Sequence, residues 1–206
     1  MEGRSDMCGE SCLDLILGRR TIRRFEQEPV SKRHLETIVD AGRLAPSAAN
    51  LQPLEFVVVD ENNLKPRLFS YLKWAAYIAP AGIPPPGFEP AAYVVTLVNT
   101  AVRGDMFEYD VGAAVQNMTL AALSLGYGSC WLLSIDRDRI RDILNVPSDY
   151  RVDSVLALGR PAEDPVAEEM TDSCRYWKDA EGRLHVPKRP LRDIFHENGF
   201  RKNPDR

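Results

Sequence analysis

The sequence lacks any apolar run near the roughly 18 residues that a membrane-spanning helix needs. Its first residues, Met1-Glu2-Gly3-Arg4-Ser5-Asp6, lack the apolar core of a secretory leader, which predicts a cytoplasmic protein. Histidine is scarce. His34, His185 and His196 stand alone, without the spacing of a metal site. The cysteines are Cys8, Cys12, Cys130 and Cys174, and in a cytosolic chain free thiols are expected. Cys8 and Cys12 fall one helical turn apart, but with no histidine nearby they predict no metal. A net charge of −4 and a pI of about 5.5 give nucleic acid no electrostatic support. There is no Walker loop and no nucleophile elbow. Gly126-Tyr127-Gly128-Ser129-Cys130-Trp131 leads into a strand, the wrong order for a dinucleotide fingerprint. Asn117-Met118-Thr119 matches a glycosylation sequon but lies in an apolar helix of an unsecreted chain. Internal repeats and low-complexity tracts are also absent.

What is present suits one globular domain: 206 residues, 44% hydrophobic and 27% charged. The basic residues gather at 19–24 and 183–192. Such local clusters in an acidic chain favour a small anionic ligand over a polyanion. Gly18-Arg19-Arg20-Thr21-Ile22-Arg23-Arg24-Phe25 is the densest, placing four arginines and a hydroxyl within six residues. Guanidinium groups offer the forked donors that grip a phosphate.

Periodicity predicts helices at 11–18, 31–45, 62–74, 105–125 and 136–145, with Ser31 and Asp136 as N-caps. Pro46 ends the second helix. Strands are predicted at 54–59, 91–98, 129–133 and 153–158, the first of them apolar enough to be covered on both faces. Residues 79–90 hold five prolines and two glycines, so they form an irregular lid or spacer. Residues 111–125 are apolar around the whole circumference, which predicts a helix packed on the sheet and on a second subunit. The tail 160–206 is too polar for its own core, yet carries the spaced anchors Trp177, Leu184, Val186, Leu191, Ile194 and Phe195. It reads as an arm laid over a surface. The fold class is α+β, a mixed central sheet flanked by helices on both faces. The expected organisation is one domain over 11–206, with 1–10 an N-terminal extension and 160–206 a C-terminal arm.

A second segment, Ala45-Pro46-Ser47-Ala48-Ala49-Asn50-Leu51-Gln52-Pro53, is a polar turn feeding a strand. Together with the arginine segment it resembles the N-terminal signature of the nitroreductase family. Leu125-Gly126-Tyr127-Gly128-Ser129-Cys130-Trp131, Ala157-Leu158-Gly159-Arg160-Pro161 and Pro187-Lys188-Arg189-Pro190-Leu191 extend the resemblance along most of the chain. The resemblance implies a nitroreductase-like sandwich, an intertwined homodimer extended by a swapped C-terminal strand, and an FMN at the dimer interface. It implies that Arg19, Arg20, Thr21 and Arg23 hold the phosphate, ribityl and pyrimidine side of FMN. Thr21 stands where the family usually has Ser, and the hydroxyl remains. Lys188 and Arg189 match the family's late basic pair. Pro46, Ser47, Ala48 and Asn50 would come from the other subunit and touch the flavin ring. Trp131, Leu132, Leu133 and Ser134 would lie over the flavin, with the amide of Leu133 or Ser134 near N5. Tyr71, Trp74 and the 79–90 loop are the expected substrate wall.

The implied function is an FMN-dependent oxidoreductase. It would pass two electrons from NAD(P)H to a small nitroaromatic, quinone or enone by a ping-pong mechanism. The flavin does the chemistry, so no side-chain acid or base is expected. Two alternatives stay open: another flavin reaction on the same fold, such as dehalogenation or flavin fragmentation, and a non-enzymatic flavin-binding dimer.

Overall fold

The computed structural model describes residues 11–200, so Cys8, the extension 1–10 and the end of the tail lie outside the described residues. Helix α1 spans Cys12–Gly18. Ser11 starts it with a capping box, its hydroxyl accepting from the Asp14 amide while the Asp14 carboxylate accepts from the Ser11 amide. Helix α2 spans Lys32–Arg43 and is capped by Ser31 as expected. It buries Leu35, Ile38 and Gly42, the three- and four-residue spacing that puts them on one face. Cys12, Cys130 and Cys174 are free thiols.

The core is a four-stranded sheet of β1 (Leu54–Val59), β2 (Ala92–Asn99), β3 (Gly128–Leu132) and β4 (Tyr150–Gly159), in the order β1-β2-β4-β3. All three pairings are antiparallel. The expected mixed character enters at the edge, where Thr21 forms a parallel bridge to Ser129. Strand β1 is an edge strand with Glu55 and Val58 exposed, so it is not covered on both faces as its composition suggested. Side-chain alternation along β2 divides the core. Tyr93, Val95 and Leu97 face one cluster with Leu68, Trp74 and Ile140, while Val94 and Val98 face another with Ile38, Val115 and Met118. The helices therefore cover both faces, as the fold class required.

Helix α3 spans only Lys65–Phe69, shorter than the expected 62–74. The chain leaves the helix because residues 71–73 pair with 134–136 instead. The Lys73 amide donates to the Ser134 carbonyl, and the Asp136 amide to that of Tyr71. Helix α4 (Glu108–Ser124) packs on α2 and on the sheet. The approach is close at Gly42, where an added Cβ would stand 2.8 Å from Met118 Cγ. Only one face of α4 is buried within the chain. Its outer face leaves Gly112, Ala113 and Leu120 half-buried and Tyr109 74% exposed. Helix α5 (Arg137–Leu144) is capped by Asp136 and stops at Asn145 in the left-handed region. No helix of the described residues is long and apolar enough to cross a membrane.

The proline-rich segment holds neither helix nor strand between 79 and 90. It is pinned to the domain by the Phe25 amide, which donates to the Phe88 carbonyl at 3.1 Å. Residues of the tail build a small sheet of their own: β5 (Val166–Glu169), β6 (Trp177–Lys178) and β7 (Leu184–Lys188), in the order β5-β7-β6. Its cohesion is polar. The His185 ring bonds Glu168 through Nδ1 at 2.9 Å and Asp179 through Nε2 at 3.1 Å. It also stacks on Trp177 at 4.2 Å, and the Trp177 indole N–H donates to Glu168.

That cluster predicts a pH dependence. Hydrogen bonds to Asp179 and then Glu168 raise the His185 pKa above its ordinary 6.5. Its stabilisation is complete below 6.5 and is lost as pH rises through the raised value. Asp179 and Glu168 are held below their ordinary 3.8 and 4.5, chiefly by His185 and by Trp177 respectively. Their contribution is lost only as pH falls through those lowered values. Amide protection in 166–188, taken relative to the intrinsic exchange rate at each pH, is expected to be greater at pH about 5.5 than at pH about 8, with His185→Gln removing the difference. Equal protection at both pH values in the wild type contradicts it.

Candidate functional site

The arginine segment runs along the sheet edge. Past α1, the Arg19 amide donates to the Leu15 carbonyl and closes the helix. The Ile22 amide then donates to the Ser129 carbonyl at 2.9 Å, docking the segment beside β3. Ile22 is buried, so its arginine neighbours are carried to the surface at fixed positions. A cleft of about 230 Å³ opens there. Gly18, Arg19 and Arg20 line one side, Leu123 to Ser129 the end of α4 and start of β3, and Pro161 to Pro165 the far side.

The cleft itself carries Arg19 and Arg20 against Glu163 and Asp164, and Asp164 is ion-paired to Arg183 at 2.6 Å. Burial, and then the adjacent Arg20 charge, lower the Arg19 guanidinium below its ordinary value. Arg20 Nη1 donates to the carbonyls of Leu17 and Arg19, so that side chain also braces its own loop. The Arg23 guanidinium lies over the Tyr176 ring at 5.3 Å. The Nε atoms of Arg20, Arg23 and Arg24 are buried without a partner. Arg23, Arg24 and Lys178 line a smaller pocket beside the cleft, together with Glu163, and do not line the cleft itself. Burial and then Arg24 push the Lys178 pKa down. The counter-charge is Glu163, whose carboxylate accepts from the Arg23 backbone amide at 2.5 Å. Sequence reading missed Glu163 because nothing in its local pattern separates it from a solvated acid. Cys130, beneath, is a buried thiol pushed up to about 11 by burial, so it is no nucleophile. With Asp164 held by Arg183, the donors of Arg19 and Arg20, backed by this cationic neighbour, suit a phosphate.

The second segment is a turn with no regular backbone. Ala49, Asn50 and Gln52 all have φ between 51° and 55°, where non-glycine residues are strained. Internal bonds hold it: Asn50 N–H to Ser47 carbonyl, and Gln52 N–H to Ser47 Oγ. Pro46, Ala48 and Asn50 are exposed, available to a ligand or a partner. At the end of β3, Trp131 and Leu133 point outward, 38% and 52% exposed, while Leu132 is buried. The Ser134 carbonyl is taken by Lys73, and that of Leu133 by Arg137.

Other expected residues lie elsewhere. Lys188 ends β7 and Arg189 follows it; both are exposed and do not line the cleft. Arg189 donates to the Asp193 carbonyl. Trp74 is 6% exposed and packs on Phe69 with ring centroids 5.7 Å apart. That burial makes it part of the core rather than an open wall. Tyr71 beside it is half-buried.

A sequence profile described as the nitroreductase family matches residues 16–160. The chain belongs to the nitroreductase family. It is 31% identical over 170 residues to an Archaeoglobus fulgidus protein provisionally named NADH dehydrogenase/NAD(P)H nitroreductase, spanning 79% of this chain and 92% of that one. A nitroreductase family protein from Clostridium novyi superposes with a TM-score of 0.63 at 26% identity, over 74% of this chain and 87% of that chain. An FMN-dependent nitroreductase from Clostridium difficile shares the fold, with a TM-score of 0.65 at 24% identity, over 91% and 99%. The matched span of the family includes the arginine segment, the 46–53 turn and the end of β3. Those places carry, in turn, clustered cations, a strained backbone and exposed apolar side chains.

Proposed function

We propose that this chain is an FMN-dependent NAD(P)H oxidoreductase acting as a homodimer on small electron-poor acceptors such as nitroaromatics, quinones or enones. The observation that carries the reading is the cationic segment at the sheet edge: Arg19 and Arg20 line the cleft, Arg23 and Arg24 line a smaller pocket beside it, and three buried guanidinium Nε atoms in 20–24 lack partners. A dianionic phosphate is the natural counter-ion. Arg19, Arg20 and Thr21 would hold that phosphate and Arg23 the pyrimidine edge. Lys188 and Arg189 would join once the tail meets its partner. FMN supplies hydride transfer when bound. The chain's part is to bind, orient and exclude water, with Trp131 and Leu133 as apolar floor and a backbone amide at Leu133 or Ser134 as a donor toward the ring.

The placement of the two halves of the site supports a dimer. Leu123 and Gly126, at the C-terminal end of α4, border the arginine cleft. The 47–50 turn is tied to Asp110 in the first turn of α4. Thirteen residues of helix separate these ends by about 20 Å. A twofold axis that packs α4 against its copy antiparallel brings each turn to the partner's cleft. The outer face of α4 and the exposed Leu13, Ile16 and Leu17 of α1 offer apolar surface for it.

Purified protein is expected to be yellow, or to become so on adding FMN, and to behave as a dimer. A colourless protein that ignores FMN overturns the reading. Kinetics are expected to be ping-pong, because both substrates must use one cleft in a chain without a separate dinucleotide loop. Parallel double-reciprocal plots check this, and intersecting plots contradict it.

A further inference from the structure

The carboxylate of Asp110 touches neither the cleft nor the expected flavin face, yet it is among the most buried charges of the described residues. It is 4% exposed, on the first turn of α4. A carboxylate there complements the helix dipole, but an exposed acid would do that equally well. Burial must be offset by specific partners. Its Oδ1 accepts the Ala48 amide at 3.0 Å, a contact across 62 positions of sequence. Its Oδ2 faces Arg103 Nε at 3.7 Å. Arg103 is itself held, donating to the carbonyls of Asp105 and Met106 at 2.9 and 3.1 Å. The acid and its counter-ion are thus fixed before anything binds.

What the acid grips is the strained segment. Ala49, Asn50 and Gln52 adopt left-handed φ without glycine. The bonds inside the turn run among its own members, and the flanks are tied by the Ala45 amide to the Gly42 carbonyl and the Asn99 amide to the Pro53 carbonyl. The Asp110–Ala48 bond anchors it to the domain's most extended helix, in front of the strained residues. A charge-assisted bond suits an anchor that must hold backbone in an unfavoured shape.

We propose that Asp110 is a positioning residue for the flavin-facing turn. Through the Ala48 amide it holds Ser47–Asn50 in the shape that meets the FMN bound mainly by the partner subunit. This rests on the FMN reading and adds a residue that touches neither flavin nor substrate. The same 20 Å separation that implies the dimer makes the effect act across the subunit boundary.

The test measures FMN affinity and the visible-region circular dichroism of bound flavin in the full-length dimer. D110A is expected to weaken FMN roughly tenfold or more and to alter the flavin spectrum, as loss of a bond to a charged group implies. D110N keeps an oxygen facing the Ala48 amide and is expected to recover most of both. A48P removes the donor and leaves Asp110 intact. It is expected to match D110A, and it carries the test if D110A does not fold. Mixed dimers of R19E and D110A subunits give the discriminating readout. One of their sites joins an intact arginine segment to an intact turn, and the other carries both lesions. One FMN per dimer at wild-type affinity is expected. Two weakened sites, or wild-type affinity and spectrum in D110A or A48P, overturn the proposal alone. Wild-type protein that binds no FMN overturns the functional reading, and this proposal with it.

Discussion

Arg19→Glu is expected to weaken FMN binding by about 3 kcal/mol, roughly a hundredfold. The wild-type guanidinium already carries a strain that an anion relieves. It is half-buried, its pKa is lowered by that burial and by Arg20, and it borders the cleft. Reversing the charge removes a charge-assisted contact and sets a carboxylate against the phosphate. Arg23→Glu is expected to act in the same direction, with an added structural cost. Its guanidinium also stacks over Tyr176, and its burial beside Glu163 would bring two carboxylates together. Flavin fluorescence titration separates the two. Arg19→Glu should leave the melting temperature of the apoprotein nearly unchanged, whereas Arg23→Glu should lower it. A wild-type dissociation constant in both variants would show that the basic segment is surface only.

Helices and strands were legible where a pattern is local. Ser31 and Asp136 cap α2 and α5 as their sequence contexts require, and β2, β3 and β4 sit within a few residues of the apolar runs that predict them. The first misreading was α3. Its periodic residues continue to 74, but the bonds that stop it come from 134–136, and no local window contains them. The small tail sheet was missed for a related reason. Its strands are held by His185, Glu168, Asp179 and Trp177. Those residues read as a solvated polar stretch until they are brought together. The site was legible in its cations and in its turn, because arginine density and a Pro-Ser-Asn turn are visible in sequence. Glu163 and Asp110 were not, since a buried acid and an exposed one look alike until the fold places them. Trp74 erred in the other direction: an aromatic after a helix reads as a wall, and the fold turns it inward.

Gly128→Val is expected to lower stability by about 2–3 kcal/mol and to weaken FMN binding together with it. Gly128 starts β3, paired with Gly159 on β4. An added Cβ would stand 2.6 Å from Ile22 Cγ1, 2.8 Å from its Cβ and 2.9 Å from Cγ2. None of these is the free end of a long side chain. Ile22 is buried, and its amide is bound to the next carbonyl of the same strand, so it cannot swing away without releasing the Thr21–Ser129 bridge. The gain in strand propensity from a β-branched residue is at most about 1 kcal/mol, too little to offset the clash. At roughly 2–4 °C per kcal/mol for a domain of this size, the melting temperature should fall by about 5–10 °C. The displaced segment carries Arg19, Thr21 and Arg23, so affinity should fall even at temperatures where the protein is folded. Ile22→Ala alone leaves a cavity and destabilises. Combined with Gly128→Val it removes the Cγ1 and Cγ2 contacts and leaves only the one to Cβ, so the pair should be less damaging than the two single effects added. A double variant showing simple additivity, or a single Gly128→Val variant with wild-type melting and wild-type FMN affinity, would mean that the basic segment is not seated on the sheet edge through this contact.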